Sequence, residues 1–143
     1  MKQIFAALFL LLCLPASQAQ TTAAAPGSDP AREATTRLTG KYQLDEQQQK
    51  LVYTIQTRKL RNLAAIESLK TSDPDRYLAK LESVQKGTQA SIQRLLKTPE
   101  QVQAYNQTLA EQRRQRSARL EEMKAAGASK TAIAEALAGI YLE

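Results

Sequence analysis

Residues 97–102, Lys97-Thr98-Pro99-Glu100-Gln101-Val102, read as the start of a long helix. Thr98 is a capping residue whose hydroxyl can accept from the first turn. Pro99 suits the first helical position because its missing N–H would have no partner there, and Gln101 stands where a side chain reaches back to close a capping box. Glu100 lies against the positive end of the helix dipole. Val102, Tyr105, Leu109, Leu120 and Met123 then recur at helical spacing, and Gly127 predicts a left-handed cap at the far end.

Outward from this stretch the same signals repeat. Asp73-Pro74 starts a helix expected over 74–96, with Tyr77, Leu81, Val84, Ile92 and Leu95 as its apolar stripe and Gly87 as a weak point. Before it, Leu44-Asp45-Glu46-Gln47-Gln48 has capping-box spacing, with Asp45 in place of the usual Ser or Thr. A helix is expected over 45–70, with Val52, Ile55, Leu63 and Ile66 on one face, joined by Leu51, Leu60 and Leu69. Asp29-Pro30 opens a short helix expected to end near Gly40, and Ser129 opens a last one with Ile133, Leu137 and Ile140 on one face. No segment alternates with period two. The pattern predicts an all-α protein: a thin layer of four to five amphipathic helices in helical hairpins.

The N-terminus reads differently. Met1-Lys2 is followed by an unbroken apolar run from Ile4 to Leu14, then Pro15 and the small-residue stretch Ala16-Ser17-Gln18-Ala19. This is the order of a secretory signal cleaved after Ala19. The apolar run would make a helix of roughly 16 Å, too short for a bilayer core of about 30 Å. Lipidation at Cys13 is disfavoured because Leu12, not a small residue, precedes the thiol. The expected organisation is therefore a signal peptide over 1–19, a flexible tether over 20–28 and one helical domain over 29–143. The location implied is the periplasm, with no stable membrane insertion after cleavage.

Processing changes the composition. Only Lys2 is lost among the charged residues, so 19 cations face 14 carboxylates and the net charge is +5. Cys13, Phe5 and Phe9 leave with the signal, and the remaining chain has no His, Cys, Trp or Phe. Leu, Ile and Val make up 22 of its 124 residues, too few for a thick core. Such a chain buries narrow stripes in a single layer, completed by a second copy as a homodimer.

Two helix starts, Leu44-Asp45-Glu46-Gln47-Gln48 and Lys97-Thr98-Pro99-Glu100-Gln101, match each other at a separation of 53 residues. In this the chain resembles the Spy/CpxP family of periplasmic proteins, which carry a repeated Leu-Thr-x-x-Gln motif at the starts of two long helices. Leu44 and Gln48 fit the first copy, and Thr98 and Gln101 fit the second. Asp45 and Lys97 depart from it. The resemblance implies an ATP-independent chaperone or envelope-stress adaptor: a thin, curved helical dimer with a basic concave face that binds unfolded or acidic envelope proteins. The motif residues, Pro99 and Glu100 among them, are expected to act as caps that position helices. Candidates for the basic face are Arg58, Lys59 and Arg61 on one helix and Arg113, Arg114, Arg116 and Arg119 on another, brought into one surface if the two helices pack antiparallel. A merely solvated helix face is the plain alternative for each cluster. Arg116 stands apart because it falls close to the apolar stripe, between Leu109 and Leu120.

Other functions find less support. Catalysis lacks its usual groups, since His and Cys are absent after processing and Glu121 and Glu122 point about 100° apart on a helix. No cofactor is expected. Metal-sensing relatives of the family use His and Met ligands, whereas here only Met123 remains, so no metal site is expected. Residues 122–134 look like the entry to a helix-turn-helix, yet the sequence to Glu143 leaves little room for a recognition helix and an exported protein meets no chromosome, so no nucleic acid partner is expected. The serious alternative is an adaptor of the envelope with one fixed protein partner.

Overall fold

A computed structural model describes residues 29–141. The expected signal peptide and tether, and Leu142 and Glu143, lie outside the described residues. Six helices follow in order: α1 (Pro30–Tyr42), α2 (Glu46–Ile66), α3 (Leu69–Ser72), α4 (Pro74–Gln93), α5 (Pro99–Ala125) and α6 (Lys130–Ala138). No strand occurs among the described residues.

The helix starts are where the caps place them. Asp29 accepts from the backbone N–H of Ala31 and Arg32, Asp73 from that of Arg76 and Ser129 from that of Ala132. At the end of α5, Gly127 adopts φ 67°. Gly127 N–H bonds to Lys124 O and Ala128 N–H to Met123 O, each at 3.0 Å, which closes the last turn in a Schellman motif.

Three boundaries differ from the sequence expectation. The first helix continues through Gly40 to Tyr42, because Ala31, Ala34, Leu38 and Tyr42 form one buried stripe that would be cut short at Gly40. The chain turns instead at Gln43, which takes a left-handed conformation with φ 50°. The helix expected over 45–70 divides at Glu67. There the hydrogen bonds shorten to i→i−3 spacing, Glu67 N–H to Ala64 O and Lys70 N–H to Glu67 O, and the tightened turn separates α3 from α2. Similar tightening at Leu95 and Leu96 ends α4 at Gln93.

The core is small and lies at one end of the molecule. Leu38, Tyr42, Leu44, Val52, Ile55, Ile92, Leu96 and Tyr105 form its cluster, flanked by Leu95, Ala104 and Leu109. The cluster joins the end of α1, the start of α2, the end of α4 and the start of α5. Tyr42 and Tyr105 meet with ring centroids 6.1 Å apart and planes tilted by 59°. Each fully buried side chain of this kind stabilises the fold by about 1.5–3 kcal/mol. Away from this end, Ile66 and Leu81 are the large apolar residues that remain buried among those described. α2 packs against α1 and α4, α1 also touches α5, and α6 lies against α4 and α5.

Two stripe assignments are corrected. Leu51 and Leu60 on α2 and Val102 on α5 are exposed at 45%, 38% and 42%. In their place α2 buries Gln48, Gln56 and Lys59 beside Val52 and Ile55, and α5 buries Gln101 beside Tyr105. The polar residues win because Gln48 and Gln101 are fixed by hydrogen bonds to other segments, which sets the rotation of both helices.

Candidate functional site

The two motif copies meet. Gln48 and Gln101 are 2% and 6% exposed. Each amide donates to the other's oxygen: Gln48 Nε2 to Gln101 Oε1 at 3.0 Å, and Gln101 Nε2 to Gln48 Oε1 at 2.9 Å. Each also closes its own capping box. Gln48 Oε1 accepts from Asp45 N–H at 2.9 Å while Asp45 accepts from Gln48 N–H at 2.7 Å. Gln101 Oε1 accepts from Lys97 N–H at 2.9 Å and Thr98 N–H at 3.4 Å, while Thr98 Oγ1 accepts from Gln101 N–H at 3.2 Å. The second amide hydrogen of each reaches the loop before the other helix, Gln48 to Leu95 O at 2.7 Å and Gln101 to Gln43 O at 3.2 Å. The arrangement is pseudo-twofold, and every amide hydrogen is used. Leu44 is buried beside it, while Asp45, Thr98, Pro99 and Glu100 are exposed at the rim. The Glu100 carboxyl is held below its ordinary range by its own backbone N–H and then by the Thr98 hydroxyl.

This clasp fixes where the basic clusters lie. Because the starts of α2 and α5 are joined beside the end of α4, both helices run alongside α4, which returns in the opposite direction. Tyr105 and Gln112 of α5 bond to Gln89 of α4, and Arg58 of α2 donates to Ser91 Oγ at 3.2 Å. α2 and α5 are therefore not an antiparallel pair, the condition under which the sequence would place both clusters on one surface. They point the same way and flank α4 from its two sides.

A cleft of about 300 Å³ lies on the α2 side, lined by Arg58, Lys59, Asn62, Ser91 and Arg94 among others. One of about 350 Å³ lies on the α5 side, with Lys86, Gln89, Gln93, Arg113 and Arg116 in its wall. Between them the exposed face of α4 presents Lys86, Ala90, Gln93 and Arg94. Lys86 pairs with Glu82 at 2.7 Å, which holds the Glu82 carboxyl below and the Lys86 ammonium above their ordinary values.

The seven candidate cations divide accordingly. Arg58 and Arg113 are exposed beside α4. Lys59 is a correction: it is 5% exposed, turned toward α4 because the clasp orients this face of α2 inward. Arg61 is exposed on α2 but lines neither cleft. Arg114 and Arg119 pair with carboxylates of their own helix, Glu111 at 3.8 Å and Glu122 at 2.7 Å. Arg116 is half-buried, and its Nη1 donates to Leu137 O at 2.6 Å while its guanidinium lies 4.7 Å from the Tyr141 ring centre. Its position near the apolar stripe thus has a structural use, which is to hold the C-terminal segment. Sequence reasoning missed Lys86 and Arg94, because nothing local distinguishes them from other surface cations. It also missed Tyr141, which lies 25 residues beyond Arg116 in sequence.

Among the described residues no helix is long and apolar enough to cross a membrane, and no group of His, Cys, Asp or Glu is placed to hold a metal ion. No family model matches the chain, and no curated protein and no solved structure matches it.

Proposed function

We propose that this chain is an exported, ATP-independent chaperone or stress adaptor of the bacterial envelope, acting as a homodimer that binds unfolded or acidic envelope proteins. The observation that carries the reading is the meeting of Arg58, Arg94 and Arg113 around α4, with Lys86 beside them paired to Glu82, on helices whose main core cluster lies at one end. The resemblance to the Spy/CpxP family supports it. A surface of cations and amides attracts acidic, partly unfolded chains at long range and holds them through many weak contacts, without nucleotide chemistry.

The test is suppression of aggregation for several unrelated unfolded proteins at near-stoichiometric amounts. Broad suppression that weakens with added salt is expected. Joint charge reversal at Arg58, Arg94 and Arg113 should reduce it at unchanged helix content. Protection of no client overturns the reading and favours an adaptor with one fixed partner. Suppression unaffected by the three reversals removes the basic surface from the mechanism.

A further inference from the structure

The cleft between α4 and α5 already holds a segment of its own chain. α6 packs against both helices, with Ile133, Leu137 and Ile140 largely covered and none of its residues fully buried. Arg116 attaches the segment as well, through the hydrogen bond to Leu137 O and the contact with the Tyr141 ring. Ile140 and Tyr141 line the cleft with Lys86, Arg113 and Arg116. The tail thus lines the cleft with an aliphatic-aromatic pair, and its Leu137 carbonyl is turned to a guanidinium.

We infer that the α4–α5 cleft is the principal client site, that it takes an aromatic or aliphatic residue flanked by carboxylates, and that α6 with Ile140-Tyr141 occupies it as an internal competitor until such a segment displaces them. The inference rests on the chaperone reading and adds where the client binds and how access is controlled. Two features favour displacement. The client's carboxylates offer a charged partner to Arg113 and Arg116, which form no ion pair among the described residues, while Lys86 already has Glu82. And the end of α5 is closed by its own bonds at Gly127 and Ala128, so α6 can swing away without opening the helix it follows.

The test uses the full mature chain and a short labelled peptide alternating Asp or Glu with Phe, Tyr and Leu, read by fluorescence anisotropy. Tyr141→Ala removes the ring under Arg116 and should tighten peptide binding about fivefold, the change expected if the tail occupies the cleft in about four-fifths of molecules. In the unaltered chain, hydrogen exchange of amides 130–141 should quicken when the peptide is added. A peptide with Lys in place of its acidic residues should do neither. If the unaltered chain protects clients but Tyr141→Ala binds the acidic peptide no more tightly, or α6 stays protected with the peptide bound, the competition is overturned while the chaperone reading stands. If no client is protected and no peptide binds either form, the chaperone reading itself falls.

Discussion

Replacing Gln101 with Leu keeps the side-chain volume close to the original but removes the polar half of the clasp. The Gln43 carbonyl and the Lys97 N–H lose the partners they have at 3.2 Å and 2.9 Å, and Gln48 loses one of its two acceptors. A buried group left without a partner costs about 1–3 kcal/mol, and the added apolar surface returns part of this, so Gln101→Leu should destabilise the fold by about 3 kcal/mol. At this chain length that is a fall in Tm on the order of 10 °C. Gln48→Leu should act similarly, through the Leu95 carbonyl and the Asp45 N–H. The two changes should not add. Once one amide is gone the other has already lost its reciprocal bonds, so a double-mutant cycle should give a coupling of about 1 kcal/mol or more. Urea unfolding followed by circular dichroism measures all four corners of the cycle. Single effects under about 0.5 kcal/mol that add within about 0.3–0.5 kcal/mol would refute the clasp as the joint of the fold.

Further outcomes follow from the same structure. Gly87 lies within α4 without a positive φ and with open space where a Cβ would stand, so Gly87→Ala should raise stability by up to about 1 kcal/mol; Gly127→Ala, at φ 67°, should lower it by a similar amount. Thermal melts of both variants decide this, and a gain at Gly127 would contradict the left-handed cap. Val52→Ala, at 0% exposure, should cost about 2–3 kcal/mol, while Leu51→Ala, one residue away at 45%, should fall within about 0.5 kcal/mol of the parent. Equal effects at the two positions would mean α2 is rotated differently. Burial pushes the Tyr42 and Tyr105 phenols above their ordinary value of 10.0, so the unfolded chain ionises first. Their contribution is complete below about pH 10 and is lost as pH rises through the folded-state values, so the urea midpoint should drop over that range as tyrosinate absorbance grows. A midpoint that stays level there would argue against their burial.

Helices were legible wherever the signal is local. Asp29, Asp73, Thr98 and Ser129 each place a start within one turn, and Gly127 an end, because a cap is decided by the few residues around it. Boundaries where a local signal competes with packing were misplaced, as at Gly40, where the sequence offers a stop but the stripe ending in Tyr42 carries the helix on. The two glutamine motifs were visible as matching caps. Their pairing was not, since a capping box explains each glutamine completely within its own helix and leaves no sign that its amide hydrogens go elsewhere.

The sequence by itself thus determines the helices, their order, the scarcity of core and the excess of cations, all of which depend on composition or on windows of a few residues. Only the tertiary structure decides which face of each helix is buried and which cations share a surface. Reciprocal bonds between Gln48 and Gln101, 53 residues apart, turn α2 so that Lys59 goes inward and Leu51 outward, and bring the starts of α2 and α5 together beside α4. That juxtaposition sets Arg58 and Arg113 on either side of Lys86 and Arg94 and commits Arg116 to the tail. Periodicity fixes the spacing of residues around a helix but leaves its rotation free, and here long-range hydrogen bonds to buried amides supply the rotation.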